Sequence, residues 1–244
     1  MIPITRRPLD DRLRSQLEVR TDRLAAAGPS PDAARRAWKS ASVERHGIRE
    51  QLSRMAAGIM RCMYCGDNLG TDIDHFEPIS RAPLRTFHWV NHLLACSFCN
   101  SNLKRDTFPC GSSGEHLLID PTTEDPNEHL MLLLGTGEYR HLTAKGQATI
   151  QVFGLNRADL VRGRAGAFHT RRAVICHARA LLYEDRKDEA AQCLRALGEE
   201  PHASVLYAML RSTDLPGATV ILGRDVLEAL TDPQILELLG LTCW

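Results

Sequence analysis

Two cysteine pairs, Cys62-Met63-Tyr64-Cys65 and Cys96-Ser97-Phe98-Cys99, carry the clearest chemical pattern in this chain. Each CxxC sets two thiolates on one tight turn, and two such turns supply the four sulfurs of a tetrahedral zinc site. The alternative, two separate thiol–disulfide motifs, would require two redox centres acting independently within one short segment. The expectation is therefore a structural Zn²⁺ held by Cys62, Cys65, Cys96 and Cys99. The pairs are 30 residues apart, more than the ~15–20 of a plain zinc ribbon, so the gap has room for further function. Within it, Asp74-His75 places a carboxylate beside an imidazole at the end of a predicted strand, and Asn91 follows. Asn100 comes directly after the last cysteine, with Lys104 and Arg105 close behind. An imidazole can act as a base, and a carboxylate can hold a divalent cation. Neighbouring residues on a strand point to opposite faces, so Asp74 and His75 are not expected to grip one ion together.

The joint pattern of D-H-x-x-P (Asp74 to Pro78), N-x-L-x-x-C (Asn91 to Cys96) and C-x-x-C-N (Cys96 to Asn100) resembles the HNH (ββα-metal) endonuclease family in its zinc-stapled form. The core resemblance covers residues 62–106. It implies His75 as general base, with its other ring nitrogen held by a backbone carbonyl. It implies Asp74 and Asn100 as ligands of a catalytic Mg²⁺ or Mn²⁺, and Asn91 as the tie that holds the loop behind His75. In many relatives the lysine follows the asparagine by three residues, whereas Lys104 follows Asn100 by four. Lys104 and Arg105 are read as phosphate contacts, with a solvated helix face as the alternative. Glu77, His88 and His92 lie near the motif and are read as surface or structural groups.

The flanks extend the likeness. Leu118-Ile119-Asp120-Pro121-Thr122, Asp125-Pro126, Glu128-His129-Leu130 and Gly154-Leu155-Asn156-Arg157 resemble the HNH subunit of Septu and retron-linked anti-phage defence systems. What that implies is a DNA-cleaving defence effector working with an ATPase partner subunit. Two other readings stay open: a catalytically inert zinc-stapled module that binds nucleic acid or protein, and an HNH nuclease directed at RNA.

The surrounding elements must position these groups. The 244 residues suit one large domain or two small ones at about 150 residues each, and the fold class expected is mainly α with a small ββα-metal core, hence α+β. Residues 1–60 read as an N-terminal helical region, 61–143 as the nuclease core with its following loop, and 144–244 as a C-terminal helical region. Leu9, Leu13, Leu17 and Leu24 share a helical face, Gly28-Pro29-Ser30-Pro31 breaks it, and Trp38 to Ile59 give a second helical pattern. Strands are expected at 71–76, 92–96 and 138–142, and a helix opened by Asn100 at 100–107. Residues 109–137 read as loop. Helices follow at 145–152, over 157–197 as one or two, and as shorter ones to 239.

Net charge is zero, yet residues 184–244 carry −6 and residues 1–183 carry +6. Arginines cluster at 35, 36, 45, 49, 54 and 61 (with Lys39) and again at 157, 162, 164, 171 and 172. Phosphates attract such clusters, and a solvated face is the competing account. The acidic, leucine-rich end suits packing or a protein partner. No apolar run reaches the ~20 residues of a membrane span, and no signal-peptide core is visible. The expectation is a cytoplasmic protein with reduced cysteines and no membrane association; oligomeric state cannot be read from the sequence.

Overall fold

The computed structural model describes residues 1–240; Cys243, one of the eight cysteines expected to be reduced, lies outside the described residues. Three helices open the chain: α1 (Asp11–Ala26), α2 (Pro31–Ser40) and α3 (Ser42–Ser53). Local chemistry sets their starts. The Asp10 side chain accepts from Leu13 N–H at the head of α1, and the Ser30 side chain accepts from Ala33 N–H with Pro31 in the first turn of α2. The single apolar pattern expected over 38–59 is two helices. Ala41 (φ −90°, ψ 54°) divides them, and Gly58 and Met60, both at positive φ, prevent continuation beyond Ser53.

Strands β1 (Asp72–His75) and β2 (His92–Ala95) pair antiparallel, with Asp72 opposite Ala95 and His75 opposite His92. The chain between them makes two short 3₁₀ turns, Pro83–Phe87 and Trp89–Asn91. The helix expected at 100–107 runs instead from Phe98 to Lys104 and is wound as a π-helix. It starts early because the second cysteine pair is its first turn: Asn100 N–H donates to Cys96 O at 3.0 Å. Asn100 is thus inside the helix rather than its cap. Arg105, at φ 49°, ends it by donating its N–H to Asn100 O at 2.7 Å.

The stretch expected as loop over 109–137 contains a further strand. β3 (Leu130–Leu133) pairs antiparallel with β4 (Glu138–His141). Leu-Met-Leu-Leu has no period-two alternation, which is why the pattern hides it. The remaining helices are α4 (Ala144–Val152), α5 (Ala158–Tyr183), α6 (Lys187–Glu199), α7 (Ala203–Arg211), α8 (Ala218–Leu222), α9 (Arg224–Leu230) and α10 (Pro233–Leu238). The pattern over 157–197 resolves into two helices, separated at Asp185, which takes φ 61°.

Two apolar clusters hold these elements. Leu13, Leu17, Ile48 and Leu52 share one with Tyr64, Leu93, Leu94, Phe153 and Leu160, so the first three helices pack directly on the cysteine-bearing centre. Phe168, Ile175, Leu194, Met209 and Ile235 belong to the other. Arg164 stitches the strands to α5. Its buried guanidinium donates to Gly137 O and Leu155 O, both at 2.6 Å, and lies over the Tyr139 ring. Arg171 is buried too and donates to Pro201 O at 2.7 Å. These two arginines, expected among the phosphate-attracting cluster, are therefore interior crosslinks to backbone carbonyls.

Gly137 shows how tightly this corner is built. Its φ is +79°, and a Cβ there would stand 2.2 Å from Val161 O. Gly137→Ala is expected to lower unfolding free energy by about 2 kcal/mol or more, since left-handed strain and a backbone clash add; urea denaturation measures it, and an unchanged midpoint would show that β4 and α5 are not in this contact.

Candidate functional site

The two cysteine pairs converge. All four sulfurs, from Cys62, Cys65, Cys96 and Cys99, lie within 4.8 Å of one another and all four residues are buried. Backbone bonds shape the first turn: Cys62 N–H donates to Asn68 O at 2.8 Å and Gly66 N–H to Cys62 O at 2.9 Å. Met63 N–H reaches Leu94 O at 2.8 Å, which lays that turn against β2. Cys65 and Cys96 sulfurs are 4.0 Å apart, close to the ~3.8 Å edge of a tetrahedron with 2.3 Å zinc–sulfur bonds, and far from the ~2.05 Å of a disulfide. Burial pushes the Cys62 thiol up, while a hydrogen bond from Cys62 pulls Cys65 down. Four thiols crowded this way share protons that a cation would displace. The donor set fits a zinc ion.

His75 ends β1. Its Nε2 lies 3.0 Å from Thr86 O, and His92 Nε2 lies 2.9 Å from the same carbonyl. A carbonyl only accepts, so both rings carry their hydrogen on Nε2. The other nitrogen of each ring is then a lone pair: His92 Nδ1 is enclosed without a partner, and His75 Nδ1 bonds to no described residue. Burial lowers the His75 pKa to about 4, against the opposing pull of Asp74, so the ring is neutral at pH 7. His75 is only 9% exposed, and the Trp38 ring of α2 packs edge-on against it at 4.5 Å.

Asn91 closes the loop behind this pair. Its Oδ1 accepts from Glu77 N–H at 2.8 Å, and its Nδ2 donates to Glu77 O and Arg85 O at 3.0 and 3.2 Å. Glu77 in turn pairs with Arg81 and Arg85.

Asp72 and Asp74 both face the Phe98–Lys104 helix, as alternate residues of one strand must. The helix meets them in register. Asp72 Oδ2 accepts from Asn100 Nδ2 at 3.2 Å and from Ser101 Oγ at 3.1 Å. One turn on, Lys104 Nζ donates to Asp74 Oδ1 at 2.9 Å and to His75 O at 2.7 Å, and Tyr64 OH donates to Asp74 Oδ2. The pair expected from the sequence, Asp74 with Asn100, is thus not brought together: Asn100 meets Asp72. Lys104, expected on phosphate, is fully buried with its charge committed to Asp74. Arg105 is exposed and folds its Nε onto Ser101 O. Sequence reasoning missed Asp72, Tyr64 and Trp38. The alternate-residue rule applied to Asp72-Ile73-Asp74 would have flagged the first; the other two depend on tertiary contacts.

Two consequences are measurable. Cys99→Ser is expected to reduce bound zinc from about one ion per chain to near zero and to lower the melting temperature by about 10 °C or more; metal analysis with thermal melts checks both. For pH, burial holds His75 and His202 at about 4, below the ordinary 6.5. Between those values the unfolded chain binds protons that the native chain refuses, so stability is full above pH 6.5 and is lost as pH falls toward 4. Urea midpoints taken from pH 7.5 to 4.5, with zinc content followed in parallel, should fall steadily across that window. Against known proteins, this chain is 28% identical over 148 residues to the Septu protein PtuB of Bacillus mycoides (strain KBAB4), a match covering 48% of this chain. The chain spans about half the length of that curated relative. No protein-family profile matches it, and no solved structure does.

Proposed function

We propose that this chain is a metal-dependent HNH-type endonuclease that hydrolyses DNA phosphodiester bonds, serves anti-phage defence, and works with an ATPase partner subunit. The observation that carries the reading is the state of His75. Its Nε2 hydrogen is committed to Thr86 O, and burial keeps the ring neutral, which leaves Nδ1 as a proton acceptor at the end of β1. A general base needs that arrangement: a fixed ring and a free lone pair. The likeness to PtuB supports the defence role, and no described helix is long and apolar enough to cross a membrane.

In this reading the four cysteines hold zinc and fix the strand pair against the helix. His75 takes the proton of the attacking water, and Asn91 positions the loop that carries the Thr86 carbonyl. A bound Mg²⁺ or Mn²⁺ would supply charge balance for the phosphate in the transition state. Asn100, half-buried on the helix, is one ligand of that ion. The family pattern gives Asp74 as the other; to serve, Asp74 must release Lys104. Arg105 remains available to the DNA backbone. Trp38 must also shift to admit water to His75.

The enclosure of His75 and the Asp74–Lys104 pair favour a second reading, the inert zinc-stapled binding module. His75→Ala separates them. With Mg²⁺ and the partner ATPase present, the variant should cut plasmid DNA at least ~100-fold more slowly than wild type while keeping its zinc and melting temperature. Wild type that cuts neither DNA nor RNA under those conditions establishes the module, and cutting confined to RNA establishes the RNA-directed enzyme.

A further inference from the structure

We infer that the divalent cation of this site is seated by Asp72 together with Asn100, in an open cleft, and not by Asp74. The inference rests on the nuclease reading above and names the carboxylate that serves it. The cleft is about 400 Å³ and is lined by Ser42, Arg45, His46 and Arg49 of α3 on one side and by Asp72 and Asn100 on the other. Three facts separate the two carboxylates. Asp74 is 2% exposed, and its two oxygens accept from an ammonium and a phenol that are themselves fully buried. Its charge is already balanced by a cation that has no exposure of its own. Asp72 is half-buried and lines the cleft, and its oxygens accept only from neutral groups: Oδ1 from the neighbouring Thr71 hydroxyl, Oδ2 from the Asn100 amide and the Ser101 hydroxyl.

The donors suit the ion. Mg²⁺ and Mn²⁺ prefer oxygen, keep several waters, and are commonly held by one or two protein ligands plus substrate phosphate. Turning the Asn100 amide by half a rotation presents Oδ1 beside Asp72 Oδ2, and the two orientations have the same shape. The opposite wall supplies what the phosphate needs. Arg45 and Arg49 are four residues apart on α3 and so share a face. Arg49 bonds to Thr71 O, which holds it at the rim beside Asp72. A carboxylate on one wall and guanidinium groups on the other match a cation–phosphate pair, in which each charge meets its opposite.

The test reads metal binding without substrate. Mn²⁺ is titrated into zinc-loaded full-length protein and followed by electron paramagnetic resonance. Asp72→Asn should weaken Mn²⁺ binding by about tenfold or more. Asp74→Asn would strand a buried ammonium, so it is paired with Lys104→Met, and this double variant should bind Mn²⁺ within about twofold of wild type. The inference is overturned if the double variant loses Mn²⁺ while Asp72→Asn keeps it, or if wild type binds no Mn²⁺ up to about 10 mM. Because cleavage is not the readout, an inactive protein that still loses Mn²⁺ on Asp72→Asn would sink the nuclease reading and leave the cation seat standing.

Discussion

Everything near the site depends on four sulfur atoms held closer together than thiolates tolerate without a cation between them. Deprotonated sulfurs at about 4 Å repel, and protonated ones waste their donors in a buried space. A zinc ion bound among them would resolve both costs. The consequence is geometric: Cys62 and Cys65 precede β1, Cys96 follows β2, and Cys99 lies inside the π-wound helix. One clamp therefore fixes the strand pair and the helix relative to each other, and with them the register that sets Asn100 against Asp72 and Lys104 against Asp74.

The Asp74–Lys104 pair is the second constraint. An ammonium with no exposure needs a full set of acceptors, and here Asp74 Oδ1 and His75 O supply two. Such a pair contributes little net stability compared with an apolar replacement, whereas removing one partner costs about 3–5 kcal/mol. It therefore acts as a lock on arrangement. The Tyr64 hydroxyl completes the network, and its ring stacks on Phe153. The lock thereby reaches from the first cysteine turn to the end of α4.

Much of this was legible in the sequence, and the divide is physical. Metal-ligand spacing is local, so the cysteine cluster could be read from two short motifs. Caps at Ser30 and the strand positions near 72 and 92 are local as well. Pairing across space is not. Whether Asn100 meets Asp72 or Asp74 depends on how the Phe98–Lys104 helix lies along β1, which no local pattern carries. Arg164 and Arg171 read as a basic cluster in composition, yet backbone carbonyls left free at Gly137, Leu155 and Pro201 draw them inward. Nothing in residue type distinguishes an arginine bound for phosphate from one bound for a carbonyl.

Trp38 ties these constraints to function. The same ring packs on His75 at 4.5 Å, lies 5.3 Å from His92, and lines the cleft that holds Asp72 and Asn100. The imidazole and the proposed cation seat are thus separated by one side chain on α2. That helix packs on the core through Ala37 and Trp38, carries the exposed and so weak Arg35–Asp106 pair, and is flanked by the Gly28 turn and the Ala41 break. Burial makes His75 a poor base by depressing its proton affinity, and opening the Trp38 side would restore it toward its ordinary value. In the proposed nuclease, the position of α2 would therefore set both whether water reaches Nδ1 and how strongly Nδ1 takes its proton.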